Sequence, residues 1–221
     1  MLKEIIIVLV LIIGTAFAIK KYVEQPQKAG TVIVLNGPSA SGKSSLQKAF
    51  QKIMAPDLWI KVGIDNLFDK PMPDIEMSEL ARWQSPNEIR WVTTTQDKDN
   101  HNVVTLYTGI QGEKVAYGMN SAIAGYAQAG CNVIVDYIAY KPEWLEDLQQ
   151  KLAGIKTYYI AVKIPLATLE QREKERATSP VGHARSHYDT VYSTLKYDLE
   201  LQVEQKSSEE LAKEIKKLID R

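Results

Sequence analysis

The residues best suited to chemistry stand together in one stretch, Gly37-Pro38-Ser39-Ala40-Ser41-Gly42-Lys43-Ser44. Its spacing is G-x-x-x-x-G-K-[ST], a loop that wraps nucleotide phosphates. Gly37 and Gly42 let the backbone turn sharply and aim its N–H groups at an anion. Lys43 supplies a mobile positive charge for the outer phosphates, and the Ser44 hydroxyl is placed to hold Mg²⁺. Pro38, Ser39, Ala40, Ser41 and Ser45 complete the backbone around the phosphates, and the helix that must begin here adds free N–H donors. The chemistry implied is the binding of a nucleotide's phosphates with Mg²⁺.

Two carboxylates close apolar runs further on. Asp65 follows Leu58–Ile64, and a carboxylate at such a strand end can take the proton of an attacking hydroxyl. Its structural alternative is an Asp capping a helix that starts near Asn66. Asp136 follows Asn132–Val135 and suits an acid that holds Mg²⁺; the alternative is a turn residue. Arg172 and Arg176 share one helix face, and Arg185 lies in the Pro/Gly-containing loop beyond. A basic helix end feeding such a loop is suited to a lid over transferring phosphates. The bland alternative pairs these arginines with Glu170, Glu173 and Glu175 on a solvated helix. His183 and His187 are expected on the lid surface. Trp83 or Trp91 could stack on an aromatic substrate, whereas Trp59 and Trp144 are expected in the core.

Positioning these groups requires an α/β frame. Thr31–Leu35, Leu58–Ile64, Asn132–Val135, Thr157–Ile164 and Tyr197–Val203 read as five short strands. Helical patterns lie between them: after the loop, over Gln111–Gly130, from Pro142, and from Pro165 to about Ala177. Ser207 and Glu210 form a capping-box pattern before a last helix with Leu211, Ile215, Leu218 and Ile219 on one face. The alternation predicts an open, mostly parallel five-stranded sheet flanked by helices. The stretch from Asp65 to Gln111 interrupts it, with Ile89–Thr95 and Val103–Tyr107 reading as an inserted β-hairpin. Insertions near strand ends commonly shape a substrate site.

Composition narrows the classes. The chain has 221 residues, with apolar and charged fractions of 45% and 24% that suit a packed core rather than disorder. The net charge of +0 gives no bulk reason to expect a nucleic-acid partner. Cys131 is the only cysteine, so no intrachain disulfide can form, and three scattered histidines make no zinc site. Ahead of the folded part, residues 5–19 are uncharged, with Lys20 and Lys21 behind them. They read as a hydrophobic anchor with the rest cytoplasmic, or as an export signal cleaved near Ala18. The division expected is 1–21 as anchor or signal, 22–30 as linker and 31–221 as the folded domain.

Taken together, Ile33–Ser44, Trp59–Asp65 with Gly63, Val133–Asp136, Arg172-Glu173 with Arg176, and Tyr197–Glu200 resemble the chloramphenicol phosphotransferase-like P-loop kinases. The resemblance implies a P-loop kinase fold with a helical lid, and ATP- and Mg²⁺-dependent phosphorylation of a small-molecule hydroxyl. It implies Asp65 as the general base, Lys43 as the loop lysine, and Arg172 and Arg176 as lid arginines. Here Asp136 is followed by Tyr137, where the family's strand often ends in two acids. Two alternatives stand beside this reading: a zeta-toxin-like nucleotide-sugar kinase, and a non-catalytic, membrane-tethered nucleotide-binding protein.

Overall fold

A computed structural model describes residues 28–72, 80–177, 179–192 and 195–221. The expected anchor or signal and most of the linker lie outside the described residues. Among those described, no helix is long and apolar enough to cross a membrane.

The apolar run that follows Thr31 makes the centre of the sheet. β1 (Val32–Asn36) is buried along its whole length, as a strand covered on both faces must be. The sheet runs β2 (Trp59–Gly63), β5 (Asn132–Tyr137), β1, β6 (Thr157–Lys163), β7 (Leu199–Gln202), with every pairing parallel. Alternate residues of β1 feed two cores. Val32 and Val34 pack with Ile123, Trp144 and Leu148, from α3 (Ile110–Gln128) and α4 (Pro142–Lys151). Ile33 and Leu35 pack with Leu46, Phe50, Leu211 and Ile215, from α1 (Lys43–Met54) and α7 (Ser208–Ile219). Ser207 and Glu210 form the expected capping box on α7.

The insertion is a hairpin, β3 (Arg90–Gln96) and β4 (Asn102–Thr108), preceded by a short helix α2 (Leu80–Trp83). It forms a sheet of its own and is held to the body by the lid. The lid is α5 (Leu166–Arg176), a loop, and α6 (His183–Ser186), and the Val104 N–H donates to Gly182 O at 3.1 Å.

Some element ends differ from expectation. The last strand starts at Leu199 rather than Tyr197, because the Asp198 carboxylate takes the Tyr159 N–H at 2.7 Å and ends the ladder there. After β2 the chain makes a π-helical turn over Asp65–Asp69, closed by Lys70 N–H to Asp65 O at 3.1 Å. Asp65 does not cap this turn through its side chain.

Candidate active site

The loop between β1 and α1 takes its shape from two left-handed residues, Ala40 (φ 62°) and Gly42 (φ 98°). Such a turn directs successive N–H groups into one concavity. Gly37 has no room for a side chain, since a Cβ there would lie 2.7 Å from the Val162 carbonyl oxygen. Lys43 is only 4% exposed. Its Nζ donates to Gly37 O at 2.9 Å and Pro38 O at 2.8 Å, and lies 3.4 Å from Asp136 Oδ1. Burial lowers the Lys43 pKa, and Asp136 opposes that shift. The Ser44 hydroxyl donates to Asp136 Oδ2 at 2.7 Å.

Parallel register brings Asp136 into this group. It sits opposite Leu35 on one side and Gly63 on the other. A Cβ on Gly63 would come within 2.9 Å of Asp136 Cβ, so a side chain there would displace the carboxylate from Lys43 and Ser44. Gln47, one turn into α1, ties the helix to the same strands by donating to Val62 O and Ile134 O at 2.8 and 2.9 Å. A hydroxyl and a carboxylate side by side at a cleft are hard oxygen donors of the kind Mg²⁺ takes, so Ser44 and Asp136 fit that ion.

These groups open onto a cleft of 1060 Å³ at the C-terminal edge of the sheet, where ligands bind in open α/β folds. Lys43, Ser44, Asp65, Asp136, Arg172 and Arg176 all line it. Its other end lies under the hairpin, where Phe68, Asp69, Arg90, Val104, Tyr140 and His183 contribute. Arg90 donates to Asp69 there at 3.0 Å, while burial raises the Asp69 pKa against that partner. Neither Trp83 nor Trp91 lines the cleft. The Arg82 guanidinium covers Trp83 at 5.1 Å, and Trp91 stacks on Tyr107 with centroids 5.0 Å apart. Trp144 is fully buried, as expected, yet also reaches the cleft wall.

The three lid glutamates are engaged away from Arg172 and Arg176. Glu170 accepts from Arg185 Nε at 2.6 Å, and Glu175 accepts from Gln171. Glu173 is 1% exposed and accepts the backbone N–H groups of Gly182 and Ala184 at 2.8 and 2.7 Å. The alternative pairing thus holds for Arg185 with Glu170 alone, and Arg172 and Arg176 line the cleft with no salt bridge among the described residues. Arg185 also donates to Asp97 in the hairpin turn, at 2.8 Å. It latches the lid to the hairpin and does not line the cleft.

The two histidines are not on the lid surface. His183 is 7% exposed and His187 4%, because α6 packs His183 against Val104 and Tyr140 and the chain just after it sets His187 against Ser39. Asn36, missed as a site residue, anchors that segment by donating to Val191 O and Tyr197 Oη at 2.7 and 2.6 Å. The only signal for it was a lone amide closing an apolar run. Val104 O can only accept, so His183 carries its proton on Nδ1 and its Nε2 accepts from the Tyr140 hydroxyl at 3.0 Å.

A family model described as "Chloramphenicol phosphotransferase-like protein" matches residues 30–220. The chain belongs to the chloramphenicol phosphotransferase-like family. It is thus a P-loop phosphotransferase. A Mycobacterium tuberculosis protein named "Putative O-phosphotransferase Rv2636" is 31% identical over 186 residues, which is 84% of this chain and 80% of that one. Among solved structures, the APS kinase CysC of Mycobacterium tuberculosis in complex with AMPPNP and APS has a TM-score of 0.56 at 19% identity. The match covers 87% of this chain and 99% of that one. Shikimate kinase from Acinetobacter baumannii, with shikimate, has a TM-score of 0.50 at 10% identity over 87% and 94% of the two chains. At these identities the two structures speak for the fold, which is the parallel five-stranded kinase sheet expected for this family.

Proposed function

We propose that the chain transfers the γ-phosphoryl group of ATP to a hydroxyl of a small molecule. The observation that carries this is the convergence of Lys43, Ser44 and Asp136 with Asp65 on one cleft, roofed by the arginine lid and the hairpin. The loop amides and Lys43 would hold the phosphates, releasing the lysine from the Gly37 and Pro38 carbonyls it now meets. Mg²⁺, held by Ser44 and Asp136, would offset charge on the outer phosphates. Asp65 would orient the acceptor hydroxyl and take its proton as the new P–O bond forms and ADP leaves. Arg172 and Arg176 would face the charge on the group in transit. The hairpin and lid together would exclude water, which otherwise competes as acceptor.

Removing the proposed base tests this reading. Asp65→Ala should keep its affinity for a non-hydrolysable ATP analogue within about twofold. It should lose transfer to a panel of hydroxylated antibiotics, sugars and nucleotide sugars by about 100-fold or more. Transfer at the wild-type rate would remove Asp65 from the mechanism, and binding of ATP by the wild type with no transfer to any acceptor would overturn the phosphotransfer assignment of this cleft.

A further inference from the structure

His187 meets the phosphate-binding loop directly. The Ser39 N–H donates to its Nε2 at 3.2 Å. Ser186 Oγ gives its own proton to His183 O at 2.7 Å, so at 3.3 Å from His187 Nδ1 it serves as acceptor. His187 is therefore neutral, with its proton on Nδ1 and a lone pair turned to the loop. Its ring packs against Tyr140 and His183, with centroids 4.9 and 5.0 Å away. Burial, with Lys43 and His183 nearby, pushes its pKa down to about 3.

Ser39 precedes the left-handed Ala40, so its amide marks the point where the loop turns. Lys43 takes hold of the loop through the carbonyls of Gly37 and Pro38. That grip must be given up if Lys43 moves to a phosphate, whereas the His187 contact uses a different group, the Ser39 N–H. The same imidazole is linked through Ser186 to His183, and from there to Val104 of β4 on the acceptor side of the cleft.

We propose that His187 is a positioning residue of the phosphate-binding loop. Its neutral Nε2 accepts the Ser39 N–H and holds the entry turn in the shape that receives a nucleotide's phosphates, from an element that also contacts the acceptor wall. The proposal rests on the nucleotide-binding half of the phosphotransfer reading. His187 touches neither substrate, and acts through the loop.

The test uses the full chain and AMPPNP. His187→Phe keeps the ring volume and removes the acceptor, leaving the part-buried Ser39 N–H without this partner. It should weaken AMPPNP binding roughly tenfold, raise the KM for ATP in step, and leave the KM for the acceptor within about twofold. His187→Gln, whose amide oxygen can accept from Ser39, should recover most of the loss. Unchanged AMPPNP affinity in a folded His187→Phe chain would overturn the proposal. So would tighter binding, which would mark the contact as a block, or a Gln variant no better than Phe. Should the Phe variant not fold, ¹⁵N spectra of the imidazoles of the native chain still decide. The chain has three histidines, and the proposal requires His187 to show a protonated Nδ1 and an unprotonated Nε2; the opposite tautomer refutes it. Nucleotide binding is read directly, so a failure to find any acceptor would sink the transfer reading without touching this result.

Discussion

His183 and His187 lie only a few residues past a run of charged lid residues, and nothing local marks them as buried. What buries them are partners far away in sequence: His187 meets Ser39 across a separation of 148 residues, and Asn36 meets Val191 across 155. Lys43, Ser44 and Asp65 were legible for the opposite reason, since a motif of eight residues or an acid closing an apolar run is local. The burial has a consequence in acid. His187 is held far below its ordinary value of 6.5, and His183 is shifted the same way, both by desolvation. Between about 3 and 6.5 the unfolded chain binds protons that the folded one refuses, so stability is complete above 6.5 and falls as pH falls through that window. The charged and titratable groups beside His187 are the Lys43 ammonium and the His183 and Tyr140 rings, so among the described residues no carboxylate reverses the sign. Urea unfolding at pH 7.5 and pH 5 should show wild type losing about 2 kcal/mol more than His187→Gln. Parallel losses in the two chains would mean that His187 takes up a proton in the fold.

The strands were legible because each is a short apolar run with its own turn signals, and the hairpin because two β-rich runs flank a polar turn. The joining of hairpin to lid was not, because it depends on a carboxylate reaching backbone amides. Glu173 reads as one charge among several on a helix, yet it is buried and accepts from Gly182 N, Ala184 N and Ser179 Oγ. Those bonds set the lid turn, where Gly182 (φ 97°) lies so near β4 that a Cβ would stand 2.2 Å from Asn102 O. Glu173→Gln exchanges an oxygen acceptor for an NH₂ that faces donors. The variant should lose about 2 kcal/mol of stability. Limited proteolysis of the variant should cut first between residues 179 and 183, and sooner than in the wild type. Loss of stability with no new cut there would mean that Glu173 supports α5 rather than the lid turn.

On the scale of the whole molecule, the parallel order β2-β5-β1-β6-β7 gathers the ends of β1, β2 and β5 at one edge, which is why residues as far apart as Lys43, Asp65 and Asp136 share a cleft. The covering pieces come from the two interruptions of the α/β pattern, hairpin and lid, and these touch each other through Arg185, Asp97, Gly182 and Val104. A nucleotide seated on the loop would contact a part of the body continuous with both, so its binding energy should appear as stability of the whole domain. At a hundredfold excess over Kd, a ligand that binds only the folded state adds about 2.7 kcal/mol. For a domain of this size that corresponds to a rise in Tm of about 5–10 °C. AMPPNP with Mg²⁺ should raise the wild-type Tm by that amount in a thermal scan, and Lys43→Ala should lose most of the rise. Asp136→Asn should bind AMPPNP with an affinity that no longer depends on Mg²⁺, because the charged half of the Ser44–Asp136 pair is gone. If Mg²⁺ still enhances binding in that variant as in the wild type, the metal is held elsewhere, and Asp136 serves only to neutralise Lys43.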